Sequence, residues 1–375
     1  MKKIVLSLLS VFLVASFAFA SGEVESQQKT TVSKKAVDTE YSTGPNNAIT
    51  DVPGIEVGNY QENNSGTTVI LARDGAVGGV DVRGSAPGTR ETDLLDPINL
   101  VDQVNAVVLT GGSAYGLATA DGVMLWLEEH GIGWPCGAAG VVPIVPAAVL
   151  YDPGRFGREF TEHPTQEFGR KAADNLSIGP VEQGNVGAGA GAIAGGIKGG
   201  LGTASIDIGN GVIVGAIVAV NAGGSTVNPK TGELYGSYLE VGNEFGDYFL
   251  TSSDVSLIDD ESEPVKNTTI ACIATNVKLT KAQAKKVAEM AHDGMARAIR
   301  PSHTMFDGDT VFVLATGALS PEVLKQEAKW GYMPANVSMI GAAAADTLTR
   351  AIVHAMLSAE SVGEVSNYRD LYLTE

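Results

Sequence analysis

Lys266-Asn267-Thr268-Thr269-Ile270-Ala271-Cys272-Ile273-Ala274-Thr275-Asn276 marks an abrupt change of character in the chain. A charged, turn-prone run, Asp259-Asp260-Glu261-Ser262-Glu263-Pro264, stands just before it. After Asn267 the residues are β-branched or small and apolar, which predicts a buried strand over residues 269–275. That strand is entered on a threonine. A cut between Asn267 and Thr268 would give Thr268 a free α-amino group beside its own hydroxyl, placing a base and a nucleophile in one residue.

The same reading extends outward on both sides. Strands are predicted over residues 67–72, 106–109, 213–221 and 310–316, each rich in Val, Ile, Leu or Thr and bounded by Gly, Asp or Asn. Helices are predicted over 116–129, 281–299, 321–330 and 342–358. In the second of these Val287, Met290, Ala291, Met295 and Ala298 recur at helical spacing, Thr280 is placed to cap the start, and Pro301 follows the end. The 46 glycines are interleaved with Val, Ile and Ala, the pattern of a tightly packed α/β chain and not of low complexity.

The start of the chain reads as an export signal. Lys2 and Lys3 precede an apolar run over residues 4–17, and Ala18-Phe19-Ala20 has the small-x-small form of a cleavage site. The expectation is removal of residues 1–20 and a periplasmic or extracellular protein. The run is too short for a membrane-spanning helix, so no membrane contact is expected of the mature form. Residues 21–44 are polar and of mixed charge, and read as a flexible tail. The remainder could form one large domain or two small ones.

The formal net charge is −18, from 43 acids against 25 bases. Such a surface repels phosphate backbones, which argues against nucleic acid as a partner. Of the two cysteines, Cys136 and Cys272, the second falls in the predicted buried strand. An exported protein can form a disulfide, but nothing in the spacing brings these two together.

Several motifs reduce to plainer readings. Gly184-Asn185-Val186-Gly187-Ala188-Gly189-Ala190-Gly191-Ala192 lacks the Gly-Lys-Ser/Thr of a P-loop and misses the third glycine of a dinucleotide loop, so it reads as close backbone packing. Leu109-Thr110-Gly111-Gly112-Ser113-Ala114-Tyr115-Gly116 resembles a nucleophile elbow but has Tyr115 where that motif needs glycine, so Ser113 reads as a helix cap. The five histidines show no metal-ligand spacing, and no metal or organic cofactor is expected. Asp307-Gly308-Asp309 reads as a turn before a strand. Asn221 ends its strand, where it could cap a turn or donate to an oxyanion; composition does not choose. Asn267-Thr268-Thr269 also matches a glycosylation sequon, which a bacterial export signal makes irrelevant.

Taken together, ordered blocks of the chain resemble the DmpA-type self-processing aminopeptidase family, which also includes the nylon-oligomer (6-aminohexanoate oligomer) hydrolases. The blocks are Asn47-Ala48-Ile49-Thr50-Asp51-Val52-Pro53-Gly54-Ile55 with Val57-Gly58, Asp81-Val82-Arg83-Gly84-Ser85-Ala86-Pro87-Gly88-Thr89-Arg90-Glu91-Thr92-Asp93, the run from Leu109 to Gly116, Gly184-Asn185-Val186-Gly187-Ala188-Gly189, and the Asn267-Thr268 junction.

The resemblance implies a four-layer αββα sandwich, shared with ornithine acetyltransferase-like proteins, formed by one domain over residues 45–375. It implies self-cleavage into an α fragment ending at Asn267 and a β fragment, 268–375, with Thr268 as nucleophile. It further implies that Asn221 and Tyr151 support the oxyanion, that Asp307 and Asp309 are the acidic pair in the form seen in the nylon hydrolases, and that Lys198 is the nearest match to an active-site lysine. The implied partner is a small peptide, an amino-acid amide or an ω-amino acid oligomer, acted on by a homotetramer or larger assembly. The alternatives are an acyltransferase of the ornithine acetyltransferase type and a secreted binding protein that keeps the fold without cleavage.

Overall fold

The computed structural model describes residues 41–247, 249–250, 267–324 and 333–374. The expected export signal, most of the expected tail, the acidic run before Asn267 and the second half of the helix expected over 321–330 lie outside the described residues. Residues 41–44, assigned to the tail by composition, lie against the folded body: Ser42 bridges Asp207, and the Gly44 N–H donates to Ser205 Oγ at 3.0 Å.

Among the described residues nine strands form the main sheet system: β1 (Ile55–Glu62), β2 (Ser65–Val82), β3 (Thr89–Arg90), β4 (Gln103–Thr110), β5 (Ala147–Val149), β6 (Leu201–Asp207), β7 (Ile213–Asn221), β8 (Thr268–Val277) and β9 (Thr310–Leu319). Their order is β6-β7-β8-β9-β2-β4-β5-β3, with β1 paired to β2. The long β2 joins the two halves of this system. Its first part pairs with β1 and β4, its register with β4 shifts between Leu71 and Ala76, and its last residues pair with β9. Among the described residues four helices cover the faces: α1 (Thr119–Glu129), α2 (Gln166–Asp174), α3 (Lys281–Ala298) and α4 (Met333–Ser358).

Side-chain alternation explains the layering. Along β8, Ile270, Cys272 and Ala274 join a core with Ile217, Ala219, Phe312 and Leu314, and with Ile70, Val107 and Leu109 of β2 and β4. Ala271, Ile273 and Val277 point the other way, into a core with Val287 and Ala291 of α3 and Leu348 and Ile352 of α4. A third core packs Val69, Leu71, Ala106 and Val108 against Val123 and Leu127 of α1 and Ala172 of α2. Helices, sheet, sheet and helices thus stack around three apolar interfaces, which is the four-layer αββα sandwich expected. A strand buried on both faces has no polar side to show, which is why β8 reads as a continuous apolar run.

The helix bounds depart from the predicted ones for local reasons, and of the helix expected over 321–330 the described part, Pro321–Leu324, is a 3₁₀ turn. Thr280 caps α3 in a reciprocal box: its hydroxyl accepts from Gln283 N at 3.3 Å, and Gln283 Oε1 accepts from Thr280 N at 2.9 Å. Helix α4 starts earlier than its predicted residue 342 because Val337 and Ile340 continue the buried stripe of Ala344, Leu348 and Ala351. The helix expected from Gly116 opens as a 3₁₀ segment, Ser113–Ala118, before α1.

Ser113 is not a cap: the cap position is Gly112, no side-chain cap bond is made, and Ser113 itself sits at φ 54°. The carboxylate of Asp152 takes over by accepting from Gly112 N at 2.7 Å. Both cysteines are free thiols, Cys136 exposed and Cys272 buried, and burial pushes the Cys272 thiol up. Among the described residues no helix is long and apolar enough to cross a membrane.

Candidate functional site

The antiparallel pairing of β7 and β8 brings the end of one strand to the start of the other. Asn221 is the register partner of Thr268, and one residue further out Asn267 bridges Asp307 in the turn that leads into β9. Three segments far apart in sequence therefore meet at the Asn267–Thr268 peptide bond. Both residues are buried, 3% and 5% exposed, so this bond is held in a defined place by its surroundings.

The Thr268 hydroxyl donates to the carbonyl oxygen of Asn267, the carbonyl of the bond that precedes it. It accepts from the Gly308 backbone N–H at 3.1 Å. Gly308 can come this close because it has no side chain: a Cβ there would lie 3.0 Å from Thr268 Oγ1 and 2.8 Å from the Ala86 carbonyl oxygen.

Arg155 reaches the junction from the segment after β5. Its Nη2 donates to Asn267 Oδ1 at 3.1 Å, and its Nη1 donates to the Gly191 carbonyl at 3.0 Å and to Asn221 Oδ1. Asn221 Oδ1 also accepts from Ile193 N at 3.0 Å, and its Nδ2 donates to the Tyr151 carbonyl at 3.3 Å. The contact between Asn221 and Tyr151 thus runs through the Tyr151 backbone, and the donor bonded to the Thr268 hydroxyl is Gly308 N–H. The expected oxyanion pair is at the site, but its recorded bonds serve to fix Asn221.

The acidic pair is similarly engaged by its own turn. Asp307 Oδ1 accepts from Gly223 N at 3.3 Å, and Oδ2 accepts from Thr304 N at 2.9 Å and from the Thr304 hydroxyl. Asp309 Oδ1 accepts from Thr269 N at 2.7 Å, while Oδ2 accepts from His303 N at 2.9 Å and lies 2.7 Å from His303 Nδ1. In the uncut chain the two carboxylates thus pair with Gly223, with Thr269 and with residues 303 and 304, because the tight turn leaves buried N–H groups in need of acceptors. The His303 ring also packs edge-on to His292, with centroids 4.8 Å apart.

Lys198 is fully buried and donates to the carbonyls of Gly189 at 3.1 Å and Gly199 at 2.6 Å. Burial, reinforced by Arg155 and opposed by Asp152, draws its pKa down to about 7. It fastens the glycine-rich turn whose carbonyl at Gly191 receives Arg155. Burial is also the main cause that lowers Arg155 to about 10. The carboxylate of Asp152 forms a buried pair with Arg158 at 2.9 Å and accepts from Ser65 Oγ at 2.7 Å. Among the described residues no group of three or more His, Cys, Asp or Glu is placed to hold a metal.

Sequence reading missed Arg155, His303 and Gly308. Arg155 stands in Tyr151-Asp152-Pro153-Gly154-Arg155-Phe156-Gly157-Arg158, a turn whose two arginines were the available signal. His303 lies just upstream of the acidic pair, and Gly308 was read with Asp307 and Asp309 as a turn residue alone. The assembled chemistry is a hydroxyl bonded to the preceding carbonyl oxygen, with a backbone donor on that hydroxyl and the half-buried Arg155 guanidinium on the Asn267 side chain.

Comparison with known proteins gives the following. Residues 47–369 match the model of peptidase family S58. The chain is 46% identical over 349 residues to a protein of Mycobacterium tuberculosis named an uncharacterized aminopeptidase, covering 87% of this chain and 98% of that one. It is 31% identical over 326 residues to the 6-aminohexanoate-oligomer endohydrolase of Kocuria sp., covering 84% and 87%. Among solved structures it superimposes on the L-aminopeptidase D-Ala-esterase/amidase of Ochrobactrum anthropi, described as a variant of the Ntn hydrolase fold, with a TM-score of 0.65 at 24% identity over 90% of this chain and 93% of that one. The β-aminopeptidase of Burkholderia sp. gives 0.62 at 24% identity over 89% and 91%. These structural likenesses establish the Ntn-type fold.

Proposed function

The chain belongs to peptidase family S58, and on that premise we propose that it is an amide hydrolase which cuts itself between Asn267 and Thr268 and then uses Thr268 on amino-terminal amide bonds. The observation that carries this reading is the hydrogen bond from the Thr268 hydroxyl to the Asn267 carbonyl, with Gly308 N–H on the same hydroxyl oxygen. A nucleophile held beside the carbonyl group it must attack has less ordering left to do before it reaches the carbon.

In the first reaction Thr268 Oγ1 attacks the Asn267 carbonyl carbon. The C–N bond breaks as the C–O bond forms, the hydroxyl proton passes to the departing nitrogen, and the Asn267 acyl group sits on Oγ1 as an ester. Water hydrolyses the ester, giving an Asn267 carboxylate and restoring the Thr268 hydroxyl beside the α-amine that the first bond break released. In the second reaction that amine, whose ordinary pKa of about 7.7–8.0 suits a base near neutral pH, takes the hydroxyl proton as Oγ1 attacks a substrate amide. The amine product leaves with a proton, and water frees the acyl group. The Asn221 amide hydrogen that the Tyr151 carbonyl does not take, together with Tyr151, serves the oxyanion, and the positive charge of Arg155 favours the developing negative charge. Asp307 and Asp309 keep β8 and the turn before β9 in register around Thr268. The substrates that fit are small peptides, amino-acid amides or ω-amino acid oligomers, in line with the names its relatives carry. The same reading carries export with loss of residues 1–20 and a homotetramer or larger assembly, to be checked by N-terminal sequencing of secreted protein and by light scattering.

Denaturing electrophoresis with mass spectrometry tests the central step. The wild type should give two fragments, the smaller beginning at Thr268, and release ammonia from an amino-acid amide. Thr268→Ala should give one uncut, inactive chain. A wild-type chain that remains whole yet hydrolyses amides would end this assignment.

A further inference from the structure

Arg155 is not explained by the cleavage chemistry alone. Its guanidinium is fixed on one side by the Gly191 carbonyl at 3.0 Å and by Asn221 Oδ1, and it presents its other terminal nitrogen to the side chain of Asn267 at 3.1 Å. Asn267 is the residue on the acyl side of the scissile bond. In the processed enzyme the same Thr268 hydroxyl attacks the acyl carbon of a substrate, so the substituent on that carbon enters the space that Asn267 holds before the cut. The chain's own junction is therefore a template for the acyl group.

Resting on the hydrolase reading, we propose that Arg155 reads the acyl half of the substrate and selects acyl groups whose side chain carries a carboxamide or carboxylate oxygen, as in asparaginyl and aspartyl amides. Withdrawal of Asn267 after cleavage leaves Arg155 Nη2 without the oxygen it held. A substrate that brings a side-chain oxygen to that point restores a charge-assisted hydrogen bond. An alkyl group of the same size leaves a half-buried cationic donor unpaired, the kind of mismatch that a polar site rejects most strongly. The two bonds on Nη1 matter here because they pre-orient the fork, so the substrate does not have to order it.

Leucine is close to asparagine in shape and lacks its side-chain oxygen, which makes the comparison direct. The 4-nitroanilides of L-asparagine, L-aspartate and L-leucine are assayed with the mature wild type. The expected result is a kcat/KM for the asparaginyl or aspartyl compound at least about tenfold above the leucyl one. In Arg155→Met that ratio should fall toward one, and Arg155→Lys, which keeps the charge but not the fork, should recover part of it. Leucyl hydrolysis equal to or faster than both polar compounds in the wild type, or a ratio unchanged in Arg155→Met, overturns the proposal. Because Arg155 also holds the junction, the methionine variant could fail to process. The wild type is therefore also tested for inhibition by free L-asparagine and L-leucine: inhibition by asparagine at tenfold lower concentration supports the proposal, and equal inhibition overturns it. A cleaved chain active on all three anilides without preference sinks this inference and leaves the hydrolase reading intact. An uncut chain inert on all three sinks both.

Discussion

The backbone N–H of Gly308 donates to the hydroxyl oxygen of Thr268 at 3.1 Å, across a gap with no room for a side chain. This contact sets where the nucleophile stands relative to the Asn267 carbonyl. Gly308→Ala would place a methyl group 3.0 Å from Thr268 Oγ1 and 2.8 Å from the Ala86 carbonyl oxygen, and the turn or the hydroxyl must move. Displacements on the order of 1 Å cost such reactions roughly a hundredfold. Self-cleavage of Gly308→Ala, followed as fragment appearance over time by mass spectrometry, should slow by about that factor. A wild-type rate would show that the contact does not position Thr268.

Lys198 gives stability an alkaline dependence. Its folded pKa of about 7 lies below the ordinary 10.5, so between these values the unfolded chain binds more protons than the folded one. Stability therefore rises with pH through that window, by at most about 1.4 kcal/mol per pH unit, and is flat with respect to this group below it. The difference in unfolding free energy between wild type and Lys198→Met should grow in favour of the wild type from pH 7 to 9.5. A difference that stays constant over that range would mean that Lys198 is not held near neutrality in the fold.

Glu244 ties the two sides of the cut together. Its carboxylate accepts from Arg350 Nε at 2.5 Å and Nη2 at 2.6 Å and lies 2.9 Å from His354 Nε2, and Arg350 is 1% exposed. Glu244 precedes the junction and Arg350 and His354 lie in α4 beyond it. Burial would raise the carboxyl, but the bonds from His354 and Arg350 outweigh it and hold the pKa at about 2. Because the folded value is below the ordinary 4.5, the stabilisation is present above pH 4.5 and is lost as pH falls from 4.5 toward 2. Glu244→Gln should cost about 3 kcal/mol at pH 7, since it strands a buried guanidinium. The gap from wild type, measured by denaturant unfolding, should close over that acid range; a gap that persists at pH 2.5 would assign the loss to packing.

Strand β7 was legible to its last residue and β8 to within two at its far end, because strands packed on both faces write their burial into an unbroken apolar run. The cap at Thr280 was legible because its hydrogen bonds are local. Ser113 was misread, since the choice between a side-chain cap and a carboxylate from Asp152 rests on a residue that only folding brings near. Tyr151 and Asn221 could be nominated one at a time, whereas the carbonyl contact that joins them could not. His303 had no sequence signal of its own beyond lying near Asp309, and its bond to that carboxylate depends on the left-handed backbone at φ 57°.

The sequence by itself determined that a threonine begins a buried strand after a charged run, and that the unbroken apolar run which follows must be covered on both faces. Those are properties of residue type and period, which the chain carries unfolded. The tertiary structure alone decided what surrounds that threonine. The register of β7 on β8 sets Asn221 opposite Thr268, the turn into β9 brings the Gly308 N–H to the hydroxyl, and Arg155 arrives from a distant loop to hold Asn267. Such contacts are fixed by long-range packing and by the need to pair buried donors and acceptors, and no local pattern encodes them.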